Sequence, residues 1–492
     1  MSGTHSDGKG TPRNGLPGTP FCDGPLLRET AERAIRWLED LPSRRVGTWA
    51  SAEELRKTLG GTLNDEGMAP PDVVAAFSEG AAPGLTGSPG PRYFGFVTGG
   101  ALPASLAADW LASAWDQNAV LAVSSPAASA AEEIVSEWIL DLLGLPPESS
   151  VGFVTGCQMA NFTCLAAARH EVLRRSGHDV EKDGLQGAPR VTVIAGEEAH
   201  ATLLVALRML GFGTGNVVSV PADGQGRMIP DKAEDALRSA SGPVILCLQA
   251  GNVNTGAFDP CARIIPAARA QGAWVHVDGA FGLWGRMLPS LRPHTDGVEL
   301  ADSWATDAHK WLNVPYDSGI AVVRHSAAHR ASMALNAPYY IAGEGEVRDP
   351  SQWVPESSRR ARGFPLYCGL KSLGRKGVLE MVERNCRQAR LMALLLSEDP
   401  MVSILNDVVL NQVLVRFSCP GSDSDAFTRT VTAQVQEEGT CWAGGSVWKG
   451  MAAMRISVSN WFTSDDDIFR SAEAIRSVLG KAARNGKNNS SS

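Results

Sequence analysis

The sequence predicts an α/β protein. A large domain with a mainly parallel sheet flanked by helices is followed by a small α+β domain, and a helical arm precedes both. Three observations carry this expectation. Short apolar runs rich in β-branched residues recur at 151–154, 191–194, 244–248, 273–277 and 320–324, as buried strands do. Segments of helical period lie between most of them, and such alternation implies parallel pairing with right-handed crossovers. Beyond residue 400 the order changes, with strands expected at 402–405, 408–417 and 454–458 and helices at 425–438 and 464–479.

Composition narrows the class. The chain has 492 residues, 44% apolar and 20% charged, with a formal net charge of −8. That balance suits a globular chain with a large core and argues against a general binder of nucleic acid or anionic membranes. Nine cysteines show no CxxC pair and no metal-like spacing, which points to free thiols in a reducing, cytoplasmic setting and to no metal site. No apolar run reaches the ~18 residues of a membrane span. The nearest, 101–115, is interrupted by Asp109.

Taken in order, residues 1–20 read as a disordered leader without a secretory apolar region. The arm covers 21–100. A helix is expected at 26–41, and Ser51 with Glu54 forms the signature of a capped helix start. Pro70 and Pro71 open a further short element. The arm would pack on a partner subunit or simply cap its own chain. The glycine- and aromatic-rich run GPRYFGFVTGG brings Tyr93, Phe94 and Phe96 together, either as a pocket wall or as a hydrophobic turn. The large domain would span 101–335. It contains an amphipathic helix at 127–143 stopped by Gly144 and Pro146. Residues 336–365 form a long polar loop in which Gly343, Gly345 and Gly363 offer hinges. The small domain would cover 366–484, opening on a helix at 366–396, and 485–492 would be a disordered tail.

The chemistry gathers at strand ends, where ligands collect in open α/β sheets. After the first strand comes Gly156-Cys157-Gln158 at a helix start, where free N–H groups and the helix dipole favour an anion. The next strands end near His200, near Asn252 with Asn254, and at Asp278. Lys310 lies between His309 and Trp311, an odd setting for a solvated lysine. Pyridoxal phosphate would unite these features. A lysine amine forms a Schiff base with the cofactor aldehyde. A carboxylate such as Asp278 keeps the pyridine nitrogen protonated, so the ring accepts electrons.

The ordered motifs TGCQMAN, EEAH, HVDGAFG and DAHKW resemble the fold-type I pyridoxal phosphate enzymes of the aspartate aminotransferase-like superfamily. More narrowly they resemble the group II amino-acid decarboxylases. The resemblance implies that Lys310 carries the cofactor, Asp278 pairs with the pyridine nitrogen, His200 stacks on the ring and Ala280 packs on its other face. Gly156, Cys157 and Gln158 would hold phosphate, helped by His309. Asp307, from DAHKW, joins the cofactor set with Asn252 and Asn254, and Arg455 looks like a structural arginine. The family's proton donor, a loop tyrosine that acts on the quinonoid carbon, is matched best by Tyr340 and next by Tyr339. Cys157-Gln158 and Gly279 depart from commoner family residues. The implied assembly is a homodimer with shared active sites and a small amino-acid substrate. The implied reaction is L-amino-acid decarboxylation. Aldol-type cleavage, decarboxylation-coupled oxidative deamination and transamination are alternatives on the same scaffold. Arg359, Arg360 and Arg362 would greet an acidic substrate or only neighbouring loops, while Phe94, Phe96 and Trp115 would suit an apolar one.

Overall fold

The computed structural model describes residues 22–63, 65–334 and 348–489. Tyr339, Tyr340, Gly343 and Gly345 lie outside them. The chain forms two units, Met1–Gly87 and Ser88–Ser492.

The first unit contains α1 (Gly24–Asp40), α2 (Ala52–Leu59) and α3 (Pro70–Ala81). Each start has a local cause. Asp23 accepts from the Leu26 N–H at 3.0 Å. Ser51 and Glu54 cap each other's backbone N–H groups, at 3.3 and 2.7 Å. Pro70 occupies the first turn of α3, where no N–H is needed. Arg33 of α1 reaches Glu29 and also Glu79 of α3. The unit ends before the expected limit of the arm, because residues 88–100 hydrogen-bond elsewhere. The Phe94 N–H donates to Trp442 O at 2.8 Å, and Asn460 Nδ2 donates to Pro89 O at 2.8 Å.

The second unit opens with α4 (Pro103–Trp115) and α5 (Pro126–Leu143). Its main sheet uses β1 (Ser150–Val154), β2 (Thr192–Gly196), β3 (Val217–Val220), β4 (Val244–Gln249), β5 (Trp274–Asp278), β6 (Ser303–Asp307) and β7 (Gly319–Val323). The spatial order is β1-β7-β6-β5-β4-β2-β3. Pairing from β3 through β6 is parallel, while β7 runs antiparallel to both β6 and β1. Both faces are covered. Along β4, Val244, Leu246 and Leu248 enter one apolar cluster, and Ile245 and Cys247 enter the other. A strand buried on both faces shows continuous apolar character rather than alternation. The helix after β1, α6 (Cys157–Arg175), packs under the second face.

A second sheet holds β8 (Val402–Ile404), β9 (Gln412–Phe417), β10 (Gly444–Trp448) and β11 (Met451–Ser457), all antiparallel in the order β10-β11-β9-β8. The long helix Gly363–Ser397 serves both layers. Its Leu366, Leu370, Val378 and Met381 join the large core, while Ala389, Met392 and Leu396 join the small one. No helix among the described residues is long and apolar enough to cross a membrane.

Candidate active site

The sheet delivers its polar residues to one end. β1 runs into α6 through Gly156, β5 ends on Asp278, and β6 ends on Asp307, three residues before Lys310. Glycine is needed at 319, the start of β7, because it presses on the Gly156 backbone, and Gly156 itself lies tight against His309. A Cβ on Gly319 would stand 2.4 Å from Gly156 Cα, and a Cβ on Gly156 would meet His309 Cε1 at 3.0 Å.

Asp307 is the hub. Its Oδ1 accepts the Cys157 N–H at 2.6 Å and lies 3.3 Å from His309 Nε2, while its Oδ2 is 3.1 Å from Lys310 Nζ. Burial works against the charge on Lys310, but the neighbouring carboxylates, Asp307 first and then Asp278, outweigh it and hold the amine above its ordinary pKa. The Cys157 thiol turns to Asp278 Oδ1 at 3.5 Å. Burial, then the nearby Asp278 and Asp307 charges, keep that thiol protonated. Ala280 donates its N–H to the same oxygen at 3.2 Å. Lys310, Asp307, Cys157 and Asp278 therefore form one contiguous set.

His200 caps the helix Ala201–Met209, and its Nδ1 accepts from the Thr202 N–H at 3.3 Å. Burial pushes its pKa down, against the pull of Asp278. A neutral ring that accepts at Nδ1 carries its proton on Nε2. His309 is built the same way: Nδ1 accepts from the Ser318 N–H at 3.1 Å, and its ring lies 4.4 Å from that of Tyr316. Burial lowers its pKa too.

Other expected members sit further out. Gln158 is exposed. Asn252 organises its own loop, accepting from the Asn254 and Thr255 N–H groups at 2.9 and 3.2 Å. Asn254 Oδ1 accepts from Ser446 at 2.7 Å. Arg455 donates to Val253 O at 3.2 Å and Phe96 O at 3.0 Å, and burial lowers its pKa.

The three clustered arginines take structural partners. Arg359 is buried against Glu132 at 2.6 Å and donates to Phe153 O at 2.7 Å. Arg360 pairs with Asp109 at 2.7 Å, and Arg362 with Asp317 at 2.5 Å. Among the aromatics, Phe94 is buried in the small core. Phe96 is 64% exposed and stacks on Trp442 at 5.7 Å. Trp115 stands edge-on to Phe364.

This donor set fits pyridoxal phosphate. It offers a lysine amine, a carboxylate deep in the site, two neutral imidazoles, and a helix N-terminus whose N-cap residue, Gly156, has no side chain of its own to cap it. No group of three or more His, Cys, Asp or Glu among the described residues could hold a metal ion. Sequence reading missed Asn161, His276 and Ser303, which lie behind Asp278. Only the TGCQMAN and HVDGAFG motifs pointed near two of them.

Residues 53–418 match the family model described as pyridoxal-dependent decarboxylase conserved domain. The chain is 27% identical over 453 residues to tryptophan decarboxylase 1 of Oryza sativa subsp. japonica, covering 85% of this chain and 87% of that protein. It is 26% identical over 417 residues to 4-hydroxyphenylacetaldehyde synthase of Rhodiola rosea, covering 81% and 83%. The fold matches a crystal structure of Oryza sativa TDC with PLP and tryptamine at a TM-score of 0.87, with 23% identity over 94% of this chain and 99% of that one.

Proposed function

The chain belongs to the pyridoxal-dependent decarboxylase family, and we propose on that premise how its own residues remove CO₂ from an L-amino acid. The observation that carries the reading is the contiguous set Lys310–Asp307–Cys157–Asp278, with His200 beside it. When bound, pyridoxal phosphate supplies a ring that accepts the electron pair released as CO₂ leaves.

Lys310 is the residue that would hold the cofactor covalently. Asp307 keeps the resting amine charged and close, so loading requires that proton to leave first. Asp278 would pair with the pyridine nitrogen, and a fixed charge in a dry site costs no reorganisation when the substrate's charge moves. His200 and Ala280 would bracket the ring. Gly156, Cys157, Gln158 and His309 would line the phosphate end, with Asn252 and Asn254 shaping the adjoining loop. Arg455 meets two carbonyls, and this supports a structural role in holding the adjoining backbone. Because Arg359, Arg360 and Arg362 are paired within the chain, the exposed Phe96–Trp442 face favours an apolar or aromatic substrate side chain over an acidic one.

The proton donor expected from the resemblance is Tyr340, with Tyr339 second, and the helical arm expected over 21–100 and boundaries near 336 and 366 belong to the same proposal. We read the working form as a cytoplasmic homodimer with shared sites. Exposed Trp110, Leu111 and Trp115 on α4 support an interface, and nine unpaired cysteines, seven of them buried, support a reducing compartment. A second reading, decarboxylation-coupled oxidative deamination, draws support from the similarity to the Rhodiola rosea synthase, which nearly equals that to the Oryza sativa decarboxylase.

One experiment separates the two. Cofactor-loaded protein is incubated with pooled amino acids, with and without dioxygen, and amines and carbonyl products are counted by mass spectrometry. The leading reading expects CO₂ and amine in equal amounts from wild type, and a shift toward carbonyl products in Tyr340→Phe. Carbonyl product that dominates in wild type and vanishes without dioxygen would select the second reading. Unchanged rate and ratio in both Tyr340→Phe and Tyr339→Phe would remove both tyrosines from the proton step.

A further inference from the structure

Behind Asp278 lies a chain of side chains that no step above uses. Trp274 Nε1 donates to Ser303 Oγ at 2.9 Å. Ser303 Oγ is 2.9 Å from His276 Nδ1, His276 Nε2 is 2.8 Å from Asn161 Oδ1, and Asn161 Nδ2 is 3.2 Å from Asp278 Oδ2. Trp274, Ser303, His276 and Asn161 are fully buried, and Asp278 is 5% exposed.

The two ends fix the direction of every proton between them. An indole N–H can only donate, and an ionised carboxylate can only accept. Ser303 accepts from the indole and keeps its own proton free for His276 Nδ1, which the Asp278 end leaves bare. The imidazole then carries its proton on Nε2 and donates to Asn161 Oδ1. The Asn161 amide turns its NH₂ to Asp278, since the reverse orientation would set oxygen against oxygen. Burial pushes His276 down to about 4, so the ring stays neutral at working pH.

We propose that this uncharged relay, Trp274–Ser303–His276–Asn161, positions Asp278 by delivering one fixed hydrogen bond to Oδ2. Asn161, His276 and Ser303 are thus positioning residues for the reaction. Oδ1 is served separately by Ala280 N–H and the Cys157 thiol, so both oxygens of Asp278 have dedicated donors. A low-dielectric interior strengthens a chain of hydrogen bonds. A neutral relay also leaves the single negative charge on Asp278 undiluted. This rests on the reading of Asp278 as the partner of the pyridine nitrogen.

The test has one arm without cofactor and one with it. In cofactor-free protein labelled with ¹⁵N-histidine, the His276 ring, identified by its loss in His276→Gln, should show a protonated Nε2 and a bare Nδ1. The pattern should not change between pH 6 and 8. In loaded protein, Asn161→Leu should lower kcat about 10-fold, as loss of an outer partner to a site ligand does, and change KM less than about twofold. Ser303→Ala leaves Asn161 in place and should give a smaller loss in the same direction, which covers the case in which Asn161→Leu does not fold. A proton on Nδ1, or a ring that titrates above pH 6, overturns the relay. So does wild-type kcat in both variants while Asp278→Asn is crippled. Wild-type kcat in Asp278→Asn would instead refute the reading of Asp278 itself, and the functional half of the relay would fall with it even if the tautomer is as expected.

Discussion

At the scale of single residues, the sequence exposes groups whose setting is odd and hides those whose setting is ordinary. Lys310 between aromatic neighbours and Asp278 after an apolar run stand out by themselves. Asp307 does not, because its importance comes from three partners brought in by folding: Cys157, His309 and Lys310. The relay is less visible still, since residues 161, 276 and 303 share no local pattern. The arginines at 359–362 show the opposite case, where a cluster suggestive of substrate binding is consumed by internal partners. Arg359 and Glu132 form a fully buried pair. Removing one member of such a pair leaves an uncompensated charge, at a cost of about 3–5 kcal/mol. Arg359→Leu should therefore destabilise the fold by that order in urea unfolding, and Glu132→Leu with Arg359→Leu should recover much of the loss. If the single variant unfolds at the wild-type midpoint, the pair does not secure this segment.

At the scale of elements, most strands and helices of the two sheets were legible from apolar period and glycine or proline punctuation. The missed strands were β3, β6 and β10. β6 reads SWATD, with no apolar run, yet all five residues are buried. Its polar side chains have buried partners such as Trp274 and His276 for Ser303, so burial there follows from contacts rather than composition. β3 is a short edge strand, and β10 is a glycine-rich hairpin arm. The close approach of β7 to the start of α6 yields a sharp expectation. A Cβ on Gly319 would press on Gly156 backbone, and overpacking of this kind costs about 1–3 kcal/mol. Gly319→Ala should lower the unfolding midpoint and also weaken cofactor retention in dialysis, because the loop it displaces is the proposed phosphate end. Normal retention in a folded Gly319→Ala protein would place the phosphate elsewhere.

At the scale of the whole molecule, buried titratable groups set the acid limit. Burial pushes His276 to about 4 and His329 to about 3, below the ordinary 6.5. As pH falls below 6.5 the unfolded chain takes up these protons before the folded one, so stability drops, by about 1.4 kcal/mol per pH unit for each ring. Asp259 acts in the opposite sense. Burial raises it to about 6, so between pH 6 and 4 the folded state binds the extra proton and offsets one histidine. Because burial also lowers His200 and His309, stability from urea unfolding should fall as pH drops from 6 to 4, and in His329→Gln that slope should be shallower by about 1.4 kcal/mol per unit; an unchanged slope would mean His329 is not held neutral. The central claim, that the sheet ends assemble a pyridoxal phosphate site on one particular lysine, has a more direct test. Cofactor-loaded protein is reduced with borohydride, digested and mapped by mass spectrometry. The account predicts the reduced cofactor on Lys310 and none in Lys310→Ala; a label on any other lysine, or one that survives Lys310→Ala, would contradict it.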